Sequence, residues 1–444
     1  MPAAQVANES IMSDPLRYAI EIIPNRLYFT SLATPPPSQP NAILTNHNRP
    51  VHFFSTDNEL IYWNFFLDFG PLNLGQLYRF STKLNHKLNS DPTLSQKAIC
   101  YYSSTSPQKR SNAVYLICAW QVLYMDRTPE EAFSIFREGS KMSSSSLPPF
   151  HDASPCKCTY DLTVLDCLRG LAKARMYRYF DFDCFDVEEY EYFEQVENGD
   201  LNWIMKDKIL AFAGPHHRRE MSREGYCTLT PEDYIPYFLQ KNVALVVRLN
   251  KRCYSERKFV AAGINHSDHY YLDGSVPQMK ILQQVLTAFE SVPKDKAFAV
   301  HCKAGLGRTG TCIGAYMMKH YKFTAAEAIG WMRICRPGSV IGPQQHFLQD
   351  IEQQMWHDGD VMRCQVERPL TNGFHGMQDV RIDEQNKRKN SGKLLKFGGV
   401  VSKLPFGSLS VQDQMDAVRG RAGQADALLA RRVQAATAGR VNRS

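Results

Sequence analysis

The chain has 444 residues, of which 43% are hydrophobic and 22% charged, and its formal net charge is +7. This composition is typical of a globular protein long enough for two to three domains. The longest apolar stretch, residues 113–125, is too short to span a bilayer, and the first residues lack the basic-then-apolar pattern of a signal peptide. We therefore expect a soluble, intracellular protein without membrane insertion.

The positive charge is concentrated at the C-terminal end. Residues 361–444 contain 15 Lys/Arg and 7 Asp/Glu, which leaves the first 360 residues close to neutral. This segment is poor in aromatic residues and has little periodicity, so it is predicted to be a disordered basic tail. Residues 1–13 are predicted to be disordered as well.

Two segments of the chain resemble each other. One starts at Lys97 and the other at Lys296, and each reads as a β-like stretch, a polar loop, an apolar helix and a second helix. Thr128 and Thr324, each followed three residues later by Glu, predict capping boxes at those second helices. The pattern indicates a duplicated α/β domain.

The two copies differ in the polar loop. In the first copy Tyr102 and Ser103 occupy the place of His301 and Cys302, and the loop carries Pro107 but no glycine. A fold can persist after its chemistry is lost. The first copy is therefore predicted to be non-catalytic.

Twelve cysteines are scattered along the chain, and only Cys156 and Cys158 lie close together, with His151 nearby. A zinc site would require a second pair of ligands. We predict reduced cysteines that pack as small apolar side chains, and neither a metal nor a cofactor.

The glycine-rich loop at residues 305–310, GLGRTG, has three interpretations. A dinucleotide site requires an acidic residue after a second strand about twenty residues on, where this chain starts a helix instead. A Walker A loop requires Gly-Lys-Ser/Thr, which is missing. The third interpretation, a cysteine-based phosphatase loop of the form H-C-x5-R-T, uses every residue.

In this interpretation Cys302 is the nucleophile. Backbone amides and a helix N-terminus attract an oxyanion and favour the thiolate. Arg308 binds two phosphate oxygens, and Thr309 hydrogen-bonds the cysteine sulfur when it leaves. The predicted phosphate-binding residues are Lys303, Ala304, Gly305, Leu306, Gly307 and Arg308.

The departing alkoxide needs a proton donor. Asp273, 29 residues before Cys302 in the turn DGSVP, is the predicted general acid. Asp268 is a competing candidate that lacks the loop-forming glycine and proline. Gln344, beside Gln345 in a loop bounded by Gly and Pro, is predicted to position the hydrolytic water.

The stretches HCKAGLGRTGT, DGSVP, RICRPGSVIGPQQHF, NGDLNWI and RLNKR together resemble the cell-division-cycle-fourteen family of dual-specificity phosphatases, over roughly residues 14–360. The resemblance implies an α/β protein with two tandem phosphatase-like domains joined by a linker helix, of which only the second is catalytic. It places the first domain at residues 14–183, the acidic linker helix at 184–199 and the catalytic domain at 200–360.

The resemblance also implies a substrate preference for phosphoserine followed by proline, with basic residues nearby, and reversal of cyclin-dependent kinase sites in mitotic exit and cytokinesis. Nine acidic and no basic residues in the stretch 181–200 agree with a basic substrate. Glu191, Glu194 and Asp200 match the positions that line the acidic groove in the family.

The implied partners are phosphoproteins made by proline-directed kinases, without direct nucleic-acid binding. The implied locations are the nucleus, nucleolus and cytoplasm, with the spindle pole or centrosome. Two alternatives remain. A phosphoinositide phosphatase would favour a basic residue where Leu306 stands, and a phosphoprotein-binding scaffold would lack one of the three catalytic groups.

Overall fold

The computed structural model describes residues 19–36, 50–136, 147–221 and 226–366. Within these residues the chain forms two β-sheets, one in each half, with helices packed around them. The predicted α/β class is confirmed. The predicted segment 1–13 lies outside the described residues, as does the tail beyond residue 366.

The first half contains a four-stranded sheet in the order β1-β2-β4-β3, in which only β1 and β2 are antiparallel. A π-helical turn and a 3-10 turn lie between α1 and β4. The elements are β1 (Ile20–Ile23), β2 (Leu27–Leu32), β3 (Val51–Phe54), α1 (Leu74–Asn85), β4 (Ala98–Ser104), α2 (Pro107–Tyr124), α3 (Pro129–Ser134) and α4 (Val164–Met176).

The second half contains a five-stranded sheet in the order β5-β6-β9-β7-β8, in which only β5 and β6 are antiparallel. Its elements are α5 (Val187–Phe193), β5 (Leu201–Met205), β6 (Ile209–Phe212), α6 (Pro231–Gln240), β7 (Val243–Arg248), α7 (Arg257–Ala261), β8 (Asn265–Asp268), α8 (Met279–Glu290), β9 (Ala297–His301), α9 (Gly307–Tyr321), α10 (Ala325–Cys335) and α11 (Pro343–Val366).

Four strands of the second sheet, β5-β6-β9-β7, repeat the connectivity of the first sheet, and β8 is an additional edge strand. In each, an antiparallel hairpin is followed by the strand that precedes the polar loop, β4 or β9, and then by a further parallel strand. In each, the helix after the loop leads to a helix that begins with a capping box, at Thr128 in α3 and at Thr324 in α10. Both predicted capping boxes are thus confirmed, and the topology agrees with the predicted duplication.

The apolar stretch at residues 113–125 lies almost entirely in α2, where most of its side chains are buried in the core. A helix that is apolar on all sides is typical of a core element. Among the described residues, no helix combines the length and the apolar character needed to cross a bilayer.

The two halves share a hydrophobic core, which includes Leu171 from the first and Trp331 from the second. Helices α4 and α10 approach so closely that a side chain at Gly170 would collide with the backbone at Glu327. Lys173 of α4 also binds the Glu327 carboxylate at 2.6 Å. Because apolar burial is continuous across this contact, each half stabilises the other.

Helix α5 lies inside the stretch 184–199 that was predicted as a linker helix, and a short 3-10 turn, Val196–Asn198, follows it. The acidic linker is therefore two short helical segments. Asp186 caps α5 by accepting a hydrogen bond from the Glu189 amide, as aspartate does at helix starts. The domain limits at 183, 199 and 360 stay predictions.

Candidate functional site

The glycine-rich loop lies at the carboxyl end of β9, the central strand of the second sheet. Parallel strands β6 and β7 flank β9, and Cys302 is the first residue after it. Five residues, 302–306, separate β9 from the start of α9. Loops between a parallel strand and a helix N-terminus are typical anion sites, because amides and the helix dipole point at the ligand.

The carbonyl groups of residues 302–305 all point away from the centre of this loop, because each accepts a hydrogen bond from a surrounding group. The donors, in order, are the His301 ring (2.9 Å), the Gly214 amide (2.9 Å) and the Arg336 guanidinium, which binds the last two carbonyls (2.9 and 2.8 Å). In a planar trans peptide the N–H group points opposite to the carbonyl. The amides of residues 303–306 consequently face the inside of the loop.

Arg308 and Asp273 lie together at the mouth of the loop. Nη2 of the buried Arg308 is 3.0 Å from Oδ1 of Asp273, and its Nη1 donates to the Tyr271 carbonyl at 3.0 Å. The Tyr271 hydroxyl in turn donates to the Arg308 carbonyl. The structure therefore brings the predicted phosphate-binding arginine and the predicted acid into direct contact, with Asp273 39% exposed.

Asp268, the competing acid, is engaged elsewhere. Its carboxylate accepts two hydrogen bonds from the buried Arg248, at 2.6 and 2.8 Å. Asp268 is therefore held by Arg248, whereas Asp273 contacts Arg308 of the phosphate loop. This placement supports Asp273 over Asp268.

His301 orients the peptide that carries the nucleophile. Burial lowers the pKa of His301 to about 3, so the ring is neutral at neutral pH. Since the Cys302 carbonyl can only accept, the single ring proton lies on Nδ1, and Nε2 accepts from the Tyr254 hydroxyl at 2.7 Å. The same hydroxyl then accepts from Nε2 of His266 at 2.8 Å.

No local sequence pattern predicts this chain of hydrogen bonds through His301, Tyr254 and His266. Burial lowers the pKa of His266 to about 4, so this ring is neutral too. Tyr254 lies 47 residues before His301 in the sequence, and no local pattern links them. The one sequence feature that points to these contacts is the position of His301 immediately before Cys302.

Gln344 connects the loop of the predicted acid to the start of α9. Its side-chain amide donates to the Ser275 carbonyl at 3.1 Å and accepts from the Ile341 amide at 3.1 Å. It also packs against Gly307, where a Cβ atom would come within 2.7 Å of its Oε1. The buried Thr309 hydroxyl has no hydrogen-bond partner among the described residues. The water-positioning role of Gln344 and the sulfur-binding role of Thr309 stay predictions.

The three residues predicted to line an acidic groove are held by protein partners. Arg79 of α1 binds the Glu191 carboxylate at 2.5 and 2.7 Å, and the Asn73 side chain donates to Glu194 at 3.0 Å. Asp200 is only 1% exposed. Asp200 thus differs from the surface position expected of a substrate-binding carboxylate, because its charge is paired internally with an arginine.

The side chains of His151, Asp152 and Cys158 place one potential metal-ligand atom each within 4.8 Å of one another. The His151 ring and the Asp152 carboxylate already form hydrogen bonds within the protein. The His151 ring contacts the Asp152 carbonyl at 2.7 Å and accepts from the Cys158 amide at 3.0 Å, while Asp152 accepts from the Gly342 amide at 2.7 Å. Cys156, part of the C-K-C stretch, lies outside this group and is exposed.

Comparison with known protein families gives two matches. The model of the N-terminal half of dual specificity protein phosphatases matches residues 21–174, and that of the dual specificity phosphatase catalytic domain matches residues 237–354. The two sheets and the cysteine loop are accordingly those of the dual specificity phosphatase class.

Curated relatives narrow this class. The chain is 46% identical to CDC14B of Mus musculus over 356 residues, and this match covers 79% of the chain and 70% of the relative. It is 44% identical to CDC14C of Homo sapiens over 370 residues, and this match covers 81% of the chain and 79% of the relative. The chain belongs to the CDC14 family of dual specificity protein phosphatases.

The match to CDC14A of Mus musculus extends over 94% of this chain at 45% identity, and over 66% of that relative. The corresponding shares are 60% of CDC14A of Homo sapiens and 54% of CDC14AB of Danio rerio. The chain thus spans between about half and two thirds of the length of these relatives.

Proposed function

We propose that this protein is a dual-specificity protein phosphatase that hydrolyses phosphoserine, phosphothreonine and phosphotyrosine through a cysteinyl-phosphate. The observation that carries the proposal is the contact between Arg308 and Asp273 at the mouth of a loop whose amides face inward. Inward amides and a guanidinium match the equatorial oxygens of a transferring phosphoryl group. An adjacent carboxyl group supplies the proton that an alkoxide leaving group needs.

The proposed reaction has two steps. The Cys302 thiolate attacks phosphorus, a P–S bond forms, and the P–O ester bond breaks while protonated Asp273 gives its proton to the leaving oxygen. Water, positioned by Gln344, then attacks the cysteinyl-phosphate and gives a proton to the Asp273 carboxylate. The P–S bond breaks, inorganic phosphate leaves, and the thiolate is restored.

The proposed substrates are phosphoproteins made by proline-directed kinases, with phosphoserine-proline followed by basic residues. The support is the acidic stretch around α5, where Glu188 is 80% exposed and shares a single cation, Arg79, with Glu191, so that this pair of acids keeps an excess of negative charge. A negative surface attracts basic substrates and repels anionic membranes. Leu306 is fully buried and offers no positive charge to a crowded phosphoinositide.

The corresponding cellular role is the reversal of cyclin-dependent kinase phosphorylation in mitotic exit and cytokinesis. The proposed locations are the nucleus, nucleolus and cytoplasm, with the spindle pole or centrosome. The sequence resemblance supports this part of the proposal.

The test is metal-free hydrolysis of a phosphoserine-Pro-x-Lys peptide and of its phosphoserine-Ala counterpart by the full chain. We expect faster turnover of the proline peptide, lost in Cys302→Ser. Glu194→Lys should lower kcat/KM for the Lys peptide more than for a small aryl phosphate. Equal loss on both substrates would refute the acidic-groove part, and cleavage of a phosphoinositide alone would refute the protein-phosphatase part.

A further inference from the structure

Gln344 belongs to a short stretch of the second half, residues 338–346, which we call the glutamine segment. It lies between α10 and α11 and includes the first turn of α11. Gln344 itself is only 1% exposed. Its side chain packs against Gly307 at the start of α9 and donates to the carbonyl of Ser275, two residues after Asp273. The position of Gln344 in the site therefore depends on how this segment is held.

The first half of the chain contacts the glutamine segment at three points. One contact is apolar and two are polar. The pairs are the Phe65 ring with Gly338, where a Cβ atom would come within 2.6 Å of the ring, the Asp152 carboxylate with the Gly342 amide at 2.7 Å, and the Thr159 hydroxyl with Nε2 of His346 at 2.9 Å. A half without the nucleophile thus supports the segment that carries Gln344.

Asp152 makes the buried polar contact of the three. Its side chain is 1% exposed, and its second oxygen accepts from the Ser154 hydroxyl at 3.1 Å. Burial of a carboxylate is costly unless the group is hydrogen-bonded. Gly342 immediately precedes α11, so the carboxylate also lies at a helix N-terminus, where the helix dipole favours negative charge. Asp152 is therefore fixed in a position that holds the Gly342 amide.

This hold reaches Gln344 through one planar peptide. The Gly342 N–H and the Ile341 carbonyl belong to the same peptide group and point in opposite directions. Asp152 binds the N–H, and the carbonyl accepts from the Gln344 backbone amide at 3.3 Å. The Ile341 amide in turn donates to Oε1 of Gln344 at 3.1 Å. Asp152 thus orients the peptide on which the backbone of Gln344 rests, and the adjacent amide fixes its side chain.

The backbone of Gly342 makes this arrangement possible. Its φ is +58°, in the left-handed region that glycine adopts at no steric cost. The chain can therefore turn the Gly342 N–H toward the first half and begin α11 at the very next residue.

We infer that Asp152 is a positioning residue for the second chemical step, because it orients Gln344 through the peptide between Ile341 and Gly342. The first half accordingly contributes to the attack of water on the cysteinyl-phosphate, and much less to the formation of that intermediate. The inference rests on the proposed two-step phosphatase reaction, but amide hydrogen exchange tests it without turnover.

The experiment compares Asp152→Ala and Asp152→Asn with the full-length wild type. Rapid quenching with an aryl phosphate separates the two steps, because aryl alcohol reports formation of the cysteinyl-phosphate and inorganic phosphate reports its hydrolysis. Gln344→Ala is the reference for a defect in water positioning, alone and combined with Asp152→Ala. Lys173→Met is the matched control, since it removes a different contact between the halves, the ion pair with Glu327.

For Asp152→Ala we expect hydrolysis of the cysteinyl-phosphate to slow by about 10- to 100-fold, because a small displacement of Gln344 misplaces the attacking water. A burst of aryl alcohol should precede a slow steady state, with kcat lowered and kcat/KM close to that of the wild type. Asp152→Asn keeps an acceptor for the Gly342 amide and should restore most of the rate. In the Gln344→Ala background, Asp152→Ala should have little further effect.

Hydrogen exchange measures the same support directly. Amides of residues 338–346 should exchange faster in Asp152→Ala than in the wild type or in Lys173→Met. Asp152→Ser should give the same kinetic and exchange pattern, since its shorter side chain fills part of the site but stops short of the Gly342 amide. This variant covers the case in which Asp152→Ala does not fold.

A wild-type rate of cysteinyl-phosphate hydrolysis in Asp152→Ala and Asp152→Ser would overturn the inference. Equal losses in both chemical steps, or a fully additive loss in the double variant, would overturn it too, since Asp152 would then not act through Gln344. A wild type that forms no cysteinyl-phosphate would refute the proposed function. In that case faster exchange of residues 338–346 in Asp152→Ala would leave the hold of Asp152 on Gln344 standing, and unchanged exchange would overturn it.

Discussion

The β4–α2 junction of the first half and the β9–α9 junction of the second occupy the same place in the four-stranded arrangement that the two sheets share. They differ in length. Strand β4 continues to Ser104 and α2 starts at Pro107, which leaves two residues between them, whereas five residues separate β9 from α9. Two residues are enough to turn from a strand into a helix but not to surround a phosphate with amides.

The residues at the first junction are used for pairing. Tyr102 and Ser103 lie inside β4 and pair with Thr30 and Ser31 of β2, and the Ser31 and Ser103 hydroxyls are 3.1 Å apart. At the equivalent point of the second half, Cys302 has left the strand and heads the loop. The comparison teaches that the chemistry of this fold lies in the loop, while the sheet and the following helix persist without it.

The largest expected effect comes from exchanging Cys302 and Ser103 between the two junctions, which tests whether the loop separates the catalytic half from the other. Cys302→Ser should lower kcat by about 10⁴-fold or more, because a hydroxyl is a far weaker nucleophile than a thiolate. Adding Ser103→Cys should restore nothing, since that thiol would sit in a paired strand without inward amides. Phosphate release under saturating substrate measures both. Restored turnover in the double variant would show that loop length is not what separates the two halves.

A second test concerns the acid that faces the loop. Asp273→Asn should lower kcat on a phosphoserine peptide by about 10²- to 10⁴-fold, because the alkoxide leaves without a proton. An aryl phosphate with a good leaving group should lose less. Asp268→Asn is the matched control and should leave this leaving-group dependence unchanged, since Asp268 pairs with Arg248. Equal losses on both substrates in Asp273→Asn would argue against the acid role.

The smallest expected effect is a loss of stability in acid. It should arise at the second junction, where His301 occupies the position of Tyr102. The pKa of His301 is lowered to about 3, while an unfolded histidine titrates near 6.5. Below pH 6.5 the unfolded state therefore binds a proton that the folded state does not, and stability falls as pH falls.

From pH 7 to pH 5 this histidine should lower the free energy of unfolding by about 2 kcal/mol. Urea unfolding at pH 7 and pH 5 measures the change, and His301→Gln should show a smaller loss than the wild type. An identical loss in wild type and variant would assign the acid sensitivity to other groups.

Local patterns in the sequence predicted a large part of this architecture. The strand, loop and helix around Cys302, both capping boxes and the internal duplication follow from spacing and residue type within a few dozen positions. The turn-forming glycine and proline beside Asp273 favour it over Asp268 from sequence, and in the structure Asp273 contacts Arg308 whereas Asp268 pairs with Arg248.

The supports of the site could not be predicted in this way, because they join distant parts of the chain. Arg336 and Asn202 are 134 residues apart, and the sequence around each gives no hint of the other. The contact of Asp200 with Arg336 is a second example of a long-range contact that local sequence does not reveal. The family resemblance places Asp200 in the acidic groove, whereas in the structure Asp200 is 1% exposed and its carboxylate lies 2.8 Å from Arg336.

The contact between α4 and α10 has a consequence for how the two halves can vary. Gly170 of α4 lies against the backbone of α10, and Gly330 of α10 lies against the backbone of α4. A Cβ atom at Gly330 would be 2.9 Å from the Cα atom of Cys167. Neither helix can acquire a larger residue at this point unless the other retreats. A chimera that takes its first half from one relative and its second half from another is therefore expected to fit only if each parent keeps glycine at its side of this contact.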